Sequence, residues 1–353
     1  MTRISNPLSP VSECLETQRT TMSKQNFEVL FVERGVADVR ACEMPSAGPG
    51  ELLIRALVSL ISPGTERAFL LGLANTPDRY PQKTGYSHIG EVVGVGAGVE
   101  GWEVGDRVAS RANHKMFAAV SASNCNRVPQ GLTNERAAFF RLTSIAMQGV
   151  RKARVELGEP AAVIGCGPVG LLAMQLVRLN GGLPVVSVDK DARRLAFAAM
   201  LDVDAALPAD DDLRTALRAQ CGGEDPALVI DATGHPEAIP AAFDLARFGG
   251  RVVLLASTRG DTEAVNFYRD VHKKGLTVIG AHESTRPRLD SAPGWWTHQA
   301  DENTALRLLA GERLVVDPIT THRFPWRDAA AAYDSLARWE PGMMGTLLDW
   351  RNE

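Results

Sequence analysis

Between residues 161 and 279 the chain repeats one pattern, and nothing else in the sequence restricts the fold as much. Short apolar runs at 161–164, 183–188, 227–230, 251–255 and 276–279 alternate with longer stretches of helical composition. Runs that are apolar at nearly every position suit strands covered on both faces, and strands separated by helices return in parallel. The sequence therefore predicts an α/β chain whose second unit, 150–283, is a doubly wound parallel sheet.

The first of these runs leads directly into Gly165-Cys166-Gly167-Pro168-Val169-Gly170, which opens an apolar helix over 171–179. In a strand–turn–helix context these glycines have separate physical tasks. Gly165 permits the tight turn, Gly167 lets backbone approach a pyrophosphate, and Gly170 allows close packing of helix on strand. The helix N-terminus turns unpaired N–H groups and a partial positive charge toward the phosphates. This is the Rossmann fingerprint of a dinucleotide site. Asp189 ends the next strand, 24 positions after Gly165. A carboxylate there accepts the hydroxyls of an adenosine ribose and repels a 2′-phosphate, so NAD is expected over NADP. Arg193 and Arg194 beside it weaken that preference. Asp231-Ala232-Thr233-Gly234 closes another strand where the ligand crevice of such a sheet opens. Thr233 and Gly234 are expected to line the groove, with a plain capped turn as the alternative.

Before residue 128 the signals differ. Short β-type runs such as 51–58 and 90–95, separated by Gly/Pro turns, predict a β-rich, partly closed barrel. The stretch 134–152 reads as helix. After His282 the alternation stops, and a loop with Pro293-Gly294-Trp295-Trp296 leads to helices over 301–310 and 328–338. This tail is expected to rejoin the first unit, giving one domain of 24–149 plus 284–353, with 1–23 a disordered leader or an overlong gene start. A length of 353 residues with 45% hydrophobic content can furnish both cores. The net charge of −4 comes without a Lys/Arg run, which argues against nucleic acid as a partner. No apolar stretch is long enough for a membrane span, and no secretory core precedes the fold. The five cysteines, Cys14, Cys42, Cys125, Cys166 and Cys221, form no Cys-x-x-Cys pair, so free thiols and a cytoplasmic protein are expected.

Several motifs in order carry a resemblance: Gly90-Glu91-Val92-Val93-Gly94, Gly105-Asp106-Arg107-Val108, the 165–170 glycines, Asp189 with Arg194-Leu195, Asp231-Ala232-Thr233-Gly234 and Gly249-Gly250-Arg251-Val252. Over residues 26–350 the chain resembles the medium-chain dehydrogenase/reductase superfamily of the zinc alcohol dehydrogenase type. The resemblance implies a GroES-like catalytic domain, a Rossmann domain, a small-molecule substrate, and a homodimer or homotetramer paired through the runs 251–255 and 276–279. The departures from it concern zinc. Where that family carries Cys-Gly-Thr-Asp, this chain has Pro63-Gly64-Thr65-Glu66. Where it carries Gly-His-Glu, this chain has Gly85-Tyr86-Ser87, and its third ligand falls near Arg141-Leu142. The four-cysteine lobe is missing as well. A catalytic zinc takes three Cys, His or carboxylate ligands, so no metal is expected here. His88, His114, His282, His298 and His322 share no ligand spacing. The Pro-Gly-Thr-Glu and Gly-Tyr pairs are similar to the zinc-lacking branch that includes bacteriochlorophyllide dehydrogenases.

Without a Lewis acid, protein groups must quiet the developing oxyanion of a hydride transfer. Thr65 matches the family's proton-relay threonine. Tyr86 stands at the vacated imidazole position as a hydrogen-bond donor or proton carrier, and Arg141 supplies positive charge. His88 would tune Tyr86 or act as base, and Glu66 is the one nearby carboxylate. Their plain alternatives are volume filling by Tyr86, an Arg141–Glu66 ion pair and a solvent-facing His88. Trp295 and Trp296 would give a substrate ring a flat wall, or else pin the tail to the core. The expected activity interconverts a secondary alcohol, on a hydroxylated ring such as a sugar or cyclitol, with its ketone. The competing expectations are a zinc-free quinone or enone reductase and a non-catalytic nicotinamide-binding scaffold.

Overall fold

The structure, a computed structural model, describes residues 25–287 and 289–351; the expected leader 1–23, with Cys14, lies outside them. The chain starts with β1 (Asn26–Glu33), β2 (Val36–Cys42) and β3 (Glu51–Ile61), then α1 (Pro63–Leu70). Next come β4 (Gln82–Lys83), β5 (His88–Val95), β6 (Arg107–Ser110), β7 (Phe117–Ser121) and β8 (Asn126–Arg127). The eleven residues of β3 alternate buried and half-buried side chains over most of their length, as a strand between a core and a wetter face requires. Its antiparallel neighbours are β5 and β7.

The stretch expected as one helix over 134–152 divides into α2 (Asn134–Ala137) and α3 (Phe140–Ala153). Thr133 caps the first through its side-chain oxygen, and Phe139 and Phe140 at the break are both completely buried. Burying two adjacent aromatics outweighs continuing one regular helix. The expected boundary at 149/150 falls inside α3, which packs on the nucleotide domain's first helix.

That domain follows as β9 (Ala161–Ile164), α4 (Pro168–Leu179), β10 (Val185–Asp189), α5 (Ala192–Ala199), β11 (Ala205–Pro208) and α6 (Leu213–Gln220). It continues with β12 (Leu228–Asp231), α7 (Ala238–Leu245), β13 (Arg251–Leu254) and β14 (Thr277–Gly280). The six strands pair in parallel in the order β11-β10-β9-β12-β13-β14. Every residue of β9, β10 and β12 is buried, which is why their sequences read as unbroken apolar runs. Of the two runs expected at an edge, 251–255 is interior and only β14 is an edge strand.

The tail supplies α8 (His298–Ala310), β15 (Thr320–Pro325), α9 (Ala329–Ala337) and β16 (Gly345–Asp349). It returns to the first half: β16 pairs antiparallel with β3, and β15 pairs with β16. The result is a seven-stranded sheet and a three-stranded one in addition to the parallel sheet. Among the described residues no helix is long and apolar enough to cross a membrane.

Candidate functional site

Two turns put the substituted ligand positions in place. Ser62 precedes α1, with Pro63 at its first position, where a missing N–H costs nothing. Glu66 closes this end: its Oε1 accepts the Ser62 N–H at 2.7 Å, and its own N–H donates to the Ser62 carbonyl at 2.9 Å. In the second turn Gly85 has φ +85°, and a Cβ there would stand 2.5 Å from the His114 ring. Glycine is thus required twice over, for the left-handed backbone and for the imidazole packed against it. Ser87 donates to the Ala138 carbonyl at 2.5 Å, which fastens the turn to the approach of α3.

Tyr86 lies between these turns. Its phenol stands near the Ser62 and Thr65 hydroxyls, and the Arg141 guanidinium sits over its ring at 5.6 Å. Burial and the Glu66 charge push its pKa up to about 12 against the restraint of those hydroxyls and of Arg141. The phenol is therefore a protonated donor at neutral pH.

Glu66 is sealed behind it, only 3% exposed. Its Oε2 accepts from Thr84 at 2.8 Å, meets His114 Nε2 at 3.1 Å and accepts the Tyr333 hydroxyl. Burial alone would raise this carboxyl, but the His114 charge and the hydrogen bonds override it and hold it below the usual range. Tyr333 responds in the opposite sense, raised well above an ordinary phenol by burial and by Glu66. His114 Nδ1 in turn meets Ser59 Oγ at 2.7 Å, and Ser59 accepts from the Trp350 indole at 2.9 Å. Glu66 is a support for the Tyr86 turn and offers no free oxygen to a substrate.

Arg141, 2% exposed, does not pair with Glu66. It donates to Glu283 at 2.6 Å and to Glu302 at 2.8 Å. Burial opposes its charge, but the two carboxylates more than compensate. His88 is neither base nor solvent-facing. It is completely buried in β5, with Nδ1 3.4 Å from Ser110 Oγ and Nε2 3.3 Å from the Lys115 carbonyl, and burial lowers its pKa to about 4. Strand alternation explains this, since one step along β5 reverses the facing of every side chain.

The tryptophans are not beside Tyr86. Trp296 lies against Arg151 at 4.0 Å and Trp295 against Lys152 at 4.7 Å. Ten residues of helix separate Arg141 from Arg151, roughly 15 Å at 1.5 Å per residue. They pin the tail to α3 rather than wall the cleft.

The glycine turn has the geometry a dinucleotide needs. Gly165 has φ +97°, and an added Cβ would meet Ala232 and Thr233 at 3.0 Å. At Gly170 a Cβ would fall 1.8 Å from the Gly165 carbonyl oxygen. Gly167 is different, because nothing lies within 4 Å of the same construction. Two glycines are therefore demanded by the protein's own packing, and the third faces open space at the start of α4, before Pro168 and Val169. Asp189 is held in place by the Cys166 N–H at 2.7 Å and the Asp191 N–H at 2.9 Å, with Arg194 4.0 Å away. Asp231 accepts both the N–H and the hydroxyl of Thr233, which fixes the Thr233–Gly234 turn beside Gly165. These groups fit a pyrophosphate at Gly167 and a ribose at Asp189.

Sequence reasoning missed His114 and Tyr333 as partners of Glu66, and Glu283 and Glu302 as partners of Arg141. Each reaches the site only through tertiary folding, and no spacing signals it.

Comparison with known proteins agrees with this arrangement. The alcohol dehydrogenase GroES-like domain family matches residues 48–163, and the zinc-binding dehydrogenase family matches residues 168–294. The chain is 26% identical to L-galactonate-5-dehydrogenase of Escherichia coli K12, over 91% of this chain and 95% of that protein. It is 27% identical to sorbitol dehydrogenase of Gallus gallus, over 90% and 94%. Among solved structures, a short chain alcohol dehydrogenase from Escherichia coli CFT073 in complex with NADH superposes with a TM-score of 0.79 at 20% identity, covering 93% of this chain and 100% of that one. With the two family matches adjoining on a GroES-like unit and a Rossmann sheet, the chain belongs to the medium-chain dehydrogenase/reductase superfamily of the zinc alcohol dehydrogenase type.

Proposed function

We propose that this enzyme is a metal-independent, NAD-dependent dehydrogenase that interconverts a secondary alcohol of a polyhydroxylated, ring-bearing substrate and its ketone. The observation that carries the reading is Tyr86: a protonated phenol, beside the Thr65 and Ser62 hydroxyls and flanked by a cation, where the superfamily places a metal ligand.

What supports a reaction without zinc is donor chemistry. Pro63 has no donor atom, the Tyr86 phenol resists ionisation, and Arg141 is a cation bound to two carboxylates. Glu66 spends its oxygens on Ser62, Thr84, His114 and Tyr333. Such a set does not fit a divalent metal. The preference for NAD rests on Asp189, whose fixed carboxylate suits a free ribose and repels a 2′-phosphate. A bound nicotinamide would supply the hydride acceptor in oxidation and the donor in reduction.

The chain's own residues handle the oxygen and its proton. In ketone reduction the Tyr86 hydroxyl hydrogen-bonds the carbonyl and passes its proton as the oxygen becomes an alkoxide. The Thr65 hydroxyl, beside the same phenol, relays a proton from solvent to Tyr86, taking one up as it passes one on. Arg141 lowers the energy of the transient phenolate, and oxidation runs these steps in reverse. Glu66, His114, Thr84 and Tyr333 lock the Ser62 and Gly85 turns so that the phenol keeps one position. The reading extends to assembly, through pairing of the exposed edge of β14 with a second copy.

The test is a substrate panel with metal analysis. Purified protein is expected to oxidise polyhydroxylated secondary alcohols with NAD, to contain no stoichiometric metal, and to keep its rate in chelator. Turnover of quinones or enones without turnover of any alcohol would replace the reading, and an essential bound metal would end the metal-independent part of it.

A further inference from the structure

Several arginines on α3 and on the segments around it are neutralised by the protein itself. Arg141 pairs with Glu283 and Glu302, Arg111 with Glu302 at 2.8 Å, Arg151 with Asp301 at 2.9 Å, and Arg286 with Asp301 at 3.7 Å. Arg259 is the exception. Half-buried in the loop after β13, it has no carboxylate partner among the described residues; its Nη1 reaches only the Asn75 carbonyl, at a long 3.4 Å. Burial works against its protonated form, and the Tyr86 phenol, neutral at neutral pH, lies within electrostatic reach of it.

Its place on the sheet gives that unpaired charge a meaning. Along the strand order β10-β9-β12-β13, the C-terminal rim presents Asp189, then the glycine turn, then Thr233, then the loop with Arg259. At about 4.8 Å per strand, β13 stands roughly 10 Å beyond the glycine turn, on the side away from Asp189. A dinucleotide with its ribose at Asp189 and its pyrophosphate at Gly167 extends its reactive end in this direction. The loop is also fixed across the cleft: Asn75 Nδ2 donates to the Thr258 carbonyl at 2.9 Å, and the Arg259 N–H donates to the Gly234 carbonyl at 3.0 Å. The backbone of Arg259 is thereby fixed beside Gly234, at the end of the groove where the reactive part of the cofactor would lie, with its guanidinium on the Asn75 side of the opening and within electrostatic reach of Tyr86.

A guanidinium partly removed from water without a counter-charge is costly, and a ligand that brings an anion recovers the cost. We infer that Arg259 is a specificity-determining residue that binds an anionic group of the substrate, so that the enzyme acts on a polyol bearing a carboxylate or a phosphate. This rests on the dehydrogenase reading above and adds the substrate's charge to it. Both anions offer the paired oxygens that a guanidinium fork accepts.

Steady-state kinetics with NAD on matched sets test it: glucose, glucuronate and glucose 6-phosphate as rings, with sorbitol, gluconate and sorbitol 6-phosphate as open chains. The expected result is that a charged member exceeds its neutral counterpart in kcat/KM by about 10- to 100-fold, the range of a hydrogen bond to a charged group. The carboxylate and phosphate arms identify which anion. Arg259→Ala should remove that advantage, Arg259→Lys should restore part of it, and neither should alter NADH affinity in a fluorescence titration. Neutral members used as well as charged ones would overturn the inference while leaving the dehydrogenase reading intact. Equal losses on neutral and charged substrates in Arg259→Ala, or weakened NADH binding, would also overturn it. Failure to oxidise any alcohol would overturn both.

Discussion

Tyr86 and Glu66 differ in sequence position by 20 residues and in role by a layer: the phenol faces the cleft and the carboxylate holds the wall behind it. Removing the hydroxyl alone separates these roles. Tyr86→Phe keeps the ring under Arg141 and should lower kcat about 100-fold, the low end for a positioned acid, with cofactor affinity unchanged in a binding titration. His88 makes a prediction about stability instead. Its folded pKa of about 4 lies below the ordinary histidine value of 6.5, so between those pH values the unfolded chain holds more protons. Stability from this residue is complete above pH 6.5 and is lost as pH falls toward 4, by about 3 kcal/mol at 1.36 kcal/mol per unit. Thermal melts should therefore fall more steeply over that window for the native protein than for His88→Asn. Parallel curves would show that His88 is not the titrating group. At this scale Tyr86 and Arg141 could be picked out from the sequence because they stand at or near expected ligand positions, and Thr65 because it matches the family's relay threonine. The partners of Glu66 could not, since His114 and Tyr333 arrive from 48 and 267 residues away.

The β9–α4 turn shows how one element divides its glycines between fold and ligand. Gly170→Ala forces a methyl into the Gly165 carbonyl oxygen and should cost about 3 kcal/mol or more, read as a lower unfolding midpoint. Gly167→Ala meets open space at a φ of −74° that alanine adopts freely, so the midpoint should hold. Its loss should appear in NADH binding, where the added methyl stands in the path of the pyrophosphate. If both variants lost stability alike, the open space at Gly167 would not be a ligand space. Helix α3 divides its work along its length: Arg141 near its start serves the cleft, while Arg151 and Lys152 near its end anchor Trp296 and Trp295. A pair of tryptophans reads equally well as a pocket wall or an anchor, and only the neighbouring helix decides between them.

Across the whole molecule, the two domains touch near the cofactor groove through a shared aromatic face. Trp339, left-handed at φ +57° and 42% exposed, has Arg67 of α1 over its ring at 4.9 Å and Arg194 of α5 at 4.8 Å. Each exposed cation–π contact contributes about 0.5–1 kcal/mol, enough to bias a cleft and too little to hold a fold. Trp339→Ala should accordingly enlarge the radius of gyration of the cofactor-free protein in solution scattering, with little change in unfolding midpoint. An unchanged radius would mean the domains are held elsewhere. The sequence by itself determined the parallel sheet and the glycine turn between its first strand and helix, because strand burial and backbone geometry leave their mark on neighbouring residues. Tertiary structure alone decided which charges meet: Arg141 with Glu283 and Glu302, Glu66 with His114 and Tyr333, and Arg259 with no acid among the described residues. Coulombic and hydrogen-bond partners are chosen by distance in space, and a chain that folds from two domains and a returning tail brings together residues whose separation in sequence carries no information about it.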